Sequence, residues 1–233
     1  MSFALWTEKY RPATFDDFAF NKEVVPLIEE LTKSDDFPHV LFYGPNGGGK
    51  HTFIKATLRA LFGESADKMK SEIKEFKATK STSVDCVINS SNHHTEVTPS
   101  DSERHDKVIV NTLIKDIASA RSIDSGANSK PFKVVVIHEV DRLSKDAQAG
   151  LRRTMEKYMS NCRIIFNCSS LSKVIAPLKS RCVQIRVPAP SEENIVGVLK
   201  HIATEEGVKM PDVVADRFAE ASNRNLRRAI MML

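Results

Sequence analysis

The chain has 233 residues, 41% of them hydrophobic, which is enough material to bury the core of one large domain and a small one. Its net charge is +4, from 34 basic and 30 acidic residues, so charge alone does not identify a nucleic-acid-binding protein. No apolar run approaches the roughly 20 residues of a membrane span, and residues 1–12 lack the apolar segment of a signal peptide, so we expect a soluble intracellular protein.

Short apolar runs and 3.6-residue periodicity predict strands that alternate with helices along most of the chain. The predicted strands are residues 39–43, 84–89, 132–138, 163–167 and 182–187, and the predicted helices are 22–33, 50–62, 106–121 and 145–158. Between these elements lie a charged stretch (68–80), a polar segment rich in turn formers (90–104) and an exposed loop (122–131). This alternation indicates a parallel sheet with helices on both faces.

The alternation ends at residues 187–191, where two prolines occur within five residues. Three helices are predicted after it, from 191 to about 206, from 211, and from 223 to the last residue. We therefore predict an α/β nucleotide-binding domain over residues 1–188 and a small helical domain over 189–233. The chain ends within an amphipathic helix, so we expect it to be incomplete.

A phosphate-binding loop of the form G-x-x-x-x-G-K follows the apolar strand that begins at residue 39. Gly44 and Gly49 permit backbone conformations closed to residues with a β-carbon, so N–H groups can turn toward phosphate oxygens. Lys50 adds a positive charge, and the next helix directs its N-terminus at the same anion. The residues predicted to bind nucleotide here are Gly44, Pro45, Asn46, Gly47, Gly48, Gly49, Lys50, His51 and Thr52.

Histidine stands at both positions that usually organise magnesium in such a site. His51 follows Lys50 where a Ser or Thr hydroxyl is expected, and Thr52 is turned by about 100° on the helix. His138 ends an apolar strand where a carboxylate normally holds the metal, while Glu139 beside it is a candidate residual base. Because magnesium prefers hard oxygen ligands, we predict no metal site and very weak or absent hydrolysis.

The sequence leaves three interpretations of the two histidines open. In the first, the site is no longer used and has lost its magnesium ligands. In the second, the two imidazoles donate hydrogen bonds to phosphate oxygens and so retain ATP or ADP without magnesium. Zinc between the imidazoles is compatible with the ligand type, but the sequence shows no third ligand. The four cysteines have no C-x-x-C spacing, so we expect reduced, largely buried thiols.

Four motifs spread along the chain carry a resemblance to a known family. They are Leu-Trp-Thr-Glu-Lys-Tyr-Arg-Pro (5–12), Asp-Ala-Gln-Ala-Gly-Leu-Arg-Arg-Thr-Met-Glu-Lys-Tyr (146–158), Ser-Arg-Cys (180–182) and Asn-Leu-Arg-Arg-Ala (225–229). Together they resemble the small subunits of replication factor C, the eukaryotic sliding-clamp loader of the AAA+ class. Residues 91–101 and 139–141 most resemble the family's terminal subunit, whose nucleotide site is degenerate.

The resemblance implies an AAA+ P-loop domain followed by a small all-α lid, with the family's helical collar outside these 233 residues. It also implies a heteropentamer with other replication factor C subunits, in the nucleus. That complex would use ATP to load the sliding clamp PCNA onto primer–template DNA in replication and repair. An autonomous AAA+ ATPase and a non-hydrolysing scaffold subunit are the alternative functions.

The same resemblance assigns roles to individual residues of the nucleotide site. Arg181 would act in trans, as an arginine finger at the γ-phosphate of a neighbouring subunit. Asn167 and Arg227 correspond to the first and second sensors of the family. Tyr10, Arg11 and Pro12 correspond to the segment that borders the adenine.

Two further regions correspond to macromolecular contacts in the family. Arg104 and Lys107 match the region that lines the DNA channel, where contacts are made to phosphates and carry no sequence preference. Ala118 and Ile123 match the surface that docks on the clamp. No membrane partner is expected.

Overall fold

The computed structural model describes residues 5–34, 36–77, 83–102, 105–119, 130–159 and 161–233. The strands are β1 (Val40–Tyr43), β2 (Lys70–Lys77), β3 (Ser83–Ser90), β4 (His94–Val97), β5 (Lys133–Ile137), β6 (Cys162–Cys168) and β7 (Val183–Arg186). The helices are α1 (Trp6–Lys9), α2 (Val25–Lys33), α3 (Lys50–Phe62), α4 (Asp106–Ser119), α5 (Lys145–Tyr158), α6 (Ala176–Lys179), α7 (Glu192–Glu205), α8 (Asp212–Ala221) and α9 (Leu226–Met232). Every predicted strand and helix has a counterpart at nearly the predicted bounds.

The described strands form one seven-stranded sheet in the order β2-β3-β4-β5-β6-β1-β7. The five strands from β4 to β7 in that order pair in parallel, which confirms the predicted parallel centre. Strand β3 pairs antiparallel with both β2 and β4, so within the described sheet it alone runs against the others. Because the central strands share one direction, their carboxyl ends meet at one edge.

Strands β2 and β4 lie in segments for which the sequence predicts no strand. In β2, the side chains from Lys70 to Glu75 are all exposed and Phe76 is buried, so the apolar signal of a strand is almost missing. Strand β4 has only four residues, and His94 and Glu96 occupy two of its buried positions. Strand β2 pairs with β3, which follows it closely in the sequence, and β4 pairs with β3 and with the more distant β5. Both strands depend on this pairing, which the local pattern of side chains does not reveal.

Each face of the central sheet is covered by a pair of helices. Alternate strand residues such as Val134 and Val136 pack under α2 and α3, while Val135 and Ile137 pack under α4 and α5. This alternation follows from the two-residue period of a strand. The sheet is therefore buried on both sides, and polar groups gather at the strand ends.

The last three helices form a small domain with a core of its own, which includes Ile195, Leu199, Ala219 and Ala229. It follows Pro188, whose carbonyl oxygen accepts a hydrogen bond of 3.0 Å from the Asn21 side chain. The predicted all-α segment after the sheet is thus confirmed. Among the described residues, no helix is both long and apolar enough to cross a membrane.

All four cysteines are free, as the sequence analysis expects, and three of them are buried. Burial raises the pKa of the Cys162, Cys168 and Cys182 thiols to about 12. These thiols stay protonated near neutral pH, so they are poor nucleophiles and poor metal ligands.

His39 is buried directly before β1, and its Nδ1 accepts a hydrogen bond of 3.0 Å from the backbone N–H of Ile164. Burial, together with the charge of Arg163, lowers the pKa of His39 from 6.5 to about 4. The unfolded chain takes up this proton at a higher pH than the folded chain does. Stability from His39 is therefore complete above about pH 6.5 and is lost as the pH falls toward about 4.

We expect His39→Asn, whose amide oxygen can accept the same hydrogen bond, to remove this part of the pH dependence. Over that window one proton contributes a slope of up to about 1.4 kcal/mol per pH unit to the free energy of unfolding. Urea unfolding at a series of pH values measures both slopes. Equal slopes for the two proteins would contradict the assignment.

Candidate nucleotide-binding site

The phosphate loop, residues 44–49, joins β1 to α3 at the carboxyl edge of the parallel strands. Gly44 and Gly49 have φ values of 151° and 94°, which confirms that both positions need conformations unfavourable for other residues. A β-carbon on Gly44 would lie 2.0 Å from the carbonyl oxygen of Val187. The loop therefore packs directly on the chain that leaves β7.

A second glycine brings the loop against the small helical domain. Gly47 has a φ of 79°, and a β-carbon there would lie 1.9 Å from Oδ1 of Asn225. That oxygen also caps α9, because it accepts a hydrogen bond of 3.1 Å from the backbone N–H of Arg228. The cap of a lid helix and the phosphate loop thus form one contact.

The Lys50 ammonium lies inside the loop that it follows. Its Nζ donates hydrogen bonds of 2.7 Å and 2.9 Å to the carbonyl oxygens of Gly44 and Pro45. Burial lowers its pKa below the ordinary value for lysine. The amine is held at the position from which it can reach an anion in the adjacent cavity.

A cavity of about 910 Å³ lies between the loop, the sheet edge and the lid. This is the size of a site for a small molecule or cofactor. Most of the predicted nucleotide-binding residues line it: Tyr10, Arg11, Pro12, Asn46, Gly47, Gly49, Lys50, His51, Thr52, Asn167 and Arg227. Gly44, Pro45 and Gly48 belong to the same loop, and Glu139 lines the cavity as well.

The N-terminal segment connects the lid to α3 across the mouth of this cavity. The Tyr10 hydroxyl donates to the Glu206 carboxylate at 2.9 Å, and Arg11 Nη1 donates to the Thr52 hydroxyl at 3.0 Å. Thr52 is therefore engaged by an arginine rather than directed at the loop. This agrees with the expectation that Thr52 does not replace the missing hydroxyl at position 51.

His51 and His138 converge, and the structure adds a third residue between them. Glu96 Oε2 lies 3.6 Å from His51 Nε2 and 3.5 Å from His138 Nε2. Glu96 pairs in register with Val136, whose side chain faces α3, so the carboxylate is directed toward the first turn of that helix. Its side chain is only 5% exposed.

The environment of the cluster fixes its charge. Burial alone would raise the pKa of Glu96, but the contacts with His138 and His51 outweigh it and hold that pKa well below the usual range. Burial lowers the pKa of His51, which Glu96 only partly opposes. Near neutral pH the cluster thus holds an ionised carboxylate and an uncharged His51 imidazole.

Two neighbours orient the cluster. The Asn167 amide lies 3.1 Å from His138 Nδ1, and His94 Nε2 lies 3.9 Å from the other Glu96 oxygen. His94 is itself fixed by a contact of 2.8 Å between its Nδ1 and the Ser91 hydroxyl. Asn167, the predicted first sensor, thus contacts His138, which stands where a carboxylate normally holds magnesium.

The two acidic residues after β5 have different surroundings. Asp141 is buried, and its Oδ2 accepts hydrogen bonds from Ser169 Oγ at 2.5 Å and from the backbone N–H of Ser170 at 3.1 Å. Glu139 is half exposed, has a left-handed φ of 54°, and pairs with Arg142 at 2.9 Å. Asp141 therefore ties β5 to β6, and both Asp141 and Glu139 are among the residues that line the cavity.

Arg181 follows α6 and is not among the residues that line the cavity. Its Nη2 lies 2.5 Å from Oε1 of Glu156, and its Nη1 donates to the carbonyl oxygen of Pro177 at 2.8 Å. Arg152 contacts the same Glu156 oxygen at 3.5 Å. The chain's own nucleotide site therefore does not use Arg181.

The predicted DNA and clamp contacts are only partly placed. Lys107 is exposed in the first turn of α4. Ala118 lies in the last turn of that helix. Arg104 and Ile123 lie outside the described residues.

Sequence reasoning missed Glu96 and Asn225 as parts of the site. Glu96 was not recognised because no strand was predicted in residues 90–104. It lies one residue before the last residue of β4, Val97, where a polar side chain at the carboxyl end of a parallel strand is expected. Asn225 was recognised only as part of a motif. Its position directly before an amphipathic helix, where Asn is a favoured N-cap, could have indicated its role.

Two family models match the chain. One is described as DNA polymerase III, delta subunit, over residues 20–191, and the other as RCF1/5-like, AAA+ ATPase lid domain, over residues 197–233. The second match agrees with the helical domain that follows β7.

Related sequences confirm the resemblance to replication factor C. Replication factor C subunit 3 of Arabidopsis thaliana is 45% identical over 232 residues, which cover 98% of this chain and 65% of that protein. The subunit 3 of Homo sapiens and the subunit 5 of Schizosaccharomyces pombe are each 43% identical over 229 residues, covering 98% of this chain and 64% of theirs. The chain thus spans slightly less than two thirds of the length of these relatives.

Solved structures with a similar fold include RuvB of Thermotoga maritima, described as a Holliday junction branch migration motor. It matches with a TM-score of 0.62 and 17% identity over 96% of this chain and 63% of that chain. A mutant of the same protein gives a TM-score of 0.63 at 18% identity, over 96% and 64%. At this identity the likeness concerns the fold alone, and it agrees with the predicted α/β domain and lid.

The contacts of Asp141 predict a large effect on stability. We expect Asp141→Ala to lower the free energy of unfolding by about 1–3 kcal/mol, because it removes the buried carboxylate that accepts hydrogen bonds from Ser169 and Ser170. Glu139→Gln is the matched control and should change it by less than about 0.5 kcal/mol. Urea unfolding measures both, and similar values for the two variants would show that Asp141 has no special role.

Proposed function

Because the chain belongs to the family of the DNA polymerase III delta subunit and its relatives are replication factor C subunits 3 and 5, we propose that it is a subunit of a sliding-clamp loader. In this proposal it assembles with other replication factor C subunits into a heteropentamer in the nucleus. The complex uses ATP to open PCNA and to place it on primer–template DNA. The observation that carries the proposal is the cavity that joins the phosphate loop, the sheet edge and the lid.

Within this role, the chain's own site holds ATP or ADP. The loop backbone, Lys50 and the N-terminus of α3 fit phosphate groups, because they combine N–H donors, a buried cation and a helix dipole. Arg227 of the lid lines the same cavity, as a second sensor would. Tyr10, Arg11 and Pro12 would border the base. Nucleotide binding supplies the energy that couples the lid to the large domain.

Hydrolysis at this site is weak or absent in our proposal. The residues at the usual magnesium positions, His51 and His138, offer nitrogen atoms, which fit that ion poorly. Glu139, the candidate base, is paired with Arg142 and also accepts a hydrogen bond of 3.1 Å from Ser100. These contacts disfavour an autonomous ATPase.

Arg181 serves the neighbouring subunit instead. Its place outside the chain's own cavity and in a Ser-Arg-Cys motif supports a role in trans. A guanidinium directed at the neighbour's γ-phosphate neutralises charge that develops in the transition state. Before assembly its charge is balanced by Glu156.

The remaining contacts complete the proposal. Arg104 and Lys107 bind the DNA backbone, and Ala118 with Ile123 docks on the clamp. The domain boundary lies near residue 188, between the sheet and the lid. Pentamer formation and clamp loading, measured with the other replication factor C subunits and PCNA, test the proposal as a whole. Failure of the chain to join the complex would refute it.

Replacing Arg181 tests the action in trans. We expect Arg181→Ala to leave assembly intact and to lower hydrolysis at the neighbour's site by about 10³-fold or more, which is typical of an arginine finger. Arg152→Ala is the matched control, because it removes another arginine from Glu156 without removing the finger. Unchanged turnover with Arg181→Ala would refute the role.

Replacing Lys50 separates nucleotide retention from a pure scaffold. Calorimetric titration of the chain with ADP should give binding that Lys50→Ala weakens by about tenfold or more, because a buried charge-assisted contact is lost. Magnesium should change the affinity of the unmodified chain by only a few-fold at most. A scaffold without a functional site would bind no ADP, and a large magnesium dependence would contradict retention without that ion.

A further inference from the structure

His51, Glu96 and His138 offer three metal-ligand atoms that all lie within 4.8 Å of one another. Glu96 Oε2 is 3.6 Å and 3.5 Å from the two imidazole Nε2 atoms. Around a tetrahedral ion with bonds of about 2.1 Å, neighbouring ligand atoms are about 3.4 Å apart. Both distances from Glu96 Oε2 are close to this value, and the two imidazole nitrogens lie within 4.8 Å of each other.

The cluster also contains polar atoms with no hydrogen-bond partner. Within the described residues, these buried atoms include His51 Nε2, Glu96 Oε1 and His94 Nε2. A buried polar atom without a partner is costly, and such groups are rare unless an ion, water or ligand satisfies them. Their concentration around one carboxylate indicates that the cluster is built around a bound species.

Two imidazoles and one carboxylate suit zinc or a transition-metal ion. This donor set is typical of zinc sites with three protein ligands and an open fourth position. Magnesium and calcium require oxygen ligands in larger number. The third ligand, which the sequence did not show, is Glu96.

We propose that His51, Glu96 and His138 bind one Zn²⁺ ion, with the fourth coordination position open to the cavity beside the phosphate loop. His51 and His138 both line that cavity, so a water molecule or an anion can reach the open position.

The neighbours of the cluster suit such a site. Zinc-bound histidines usually donate their second N–H to an oxygen, which fixes the ring. The amide oxygen and nitrogen of Asn167 are assigned rather than observed, and with Oδ1 turned toward His138 Nδ1, at the 3.1 Å separation found here, that oxygen accepts the proton. His94, whose Nδ1 contacts Ser91, directs Nε2 toward the second Glu96 oxygen.

The test uses the untagged 233-residue chain, treated with EDTA and then dialysed, without nucleotide. Competition with a chromophoric chelator should show one tightly bound Zn²⁺ per chain. Each of the substitutions His51→Ser, Glu96→Gln and His138→Asn should weaken binding by more than about 100-fold, beyond the effect typical of outer-shell changes. His93→Phe is the matched control, since His93 stacks on Phe62 and is outside the cluster, and it should bind zinc unchanged.

Cobalt substitution keeps the test decisive if a variant fails to fold. Co²⁺ bound to the unmodified chain should give the intense visible absorption of a four-coordinate site, and Zn²⁺ should displace it. Absence of stoichiometric binding, a weak six-coordinate spectrum, or equal affinity in the three folded ligand variants and the control would overturn the proposal. Because no nucleotide is present, failure here would leave the proposed clamp-loader function intact.

Discussion

The shared direction of five adjacent strands is the constraint on which the rest of this structure depends. Strands buried on both faces can carry polar side chains only where they end, and parallel strands end together. The phosphate loop after β1, His138 after β5 and Asn167 on β6 therefore meet at one edge, joined by Glu96 of β4. These residues are far apart in the sequence. Strand direction alone brings them within reach of one ligand.

The second domain completes this edge instead of merely following it. Gly47 lets the loop touch the cap of α9, and Glu206 at the end of α7 receives the Tyr10 hydroxyl. Arg224, before α9, donates to the carbonyl oxygen of Pro190 in the connection between the domains at 2.9 Å. The cavity wall thus has contributions from both domains and from the N-terminal segment. A change at Asn225, Glu206 or Arg224 therefore alters the site without replacing a residue of the loop itself.

Elements that are determined by neighbouring residues in the sequence were predicted correctly, whereas those that depend on pairing between strands were not. Helix α5 was predicted at its observed bounds because its apolar residues recur at helical spacing, and in the structure Ser144 caps it. The phosphate loop was equally clear, since its conformation requires glycine at fixed positions. Strand β4, by contrast, exists because β3 and β5 pair with it, and its buried Glu96 reads locally as a surface residue. The sequence therefore predicted two histidines at one site but no third ligand, and Glu96 was recognised only from the sheet register.

The two outer strands of the sheet have a consequence for association between molecules. An unpaired strand edge is a template for another chain, and proteins protect it with charge when they do not cover it. The exposed side chains of Lys70, Glu72 and Lys74 lie on β2, and those of Gln184 and Arg186 lie on β7. A second strand added at either end would have to desolvate these groups. Polar side chains that carry no signal for strand formation thus make both outer strands poor templates for pairing with another chain.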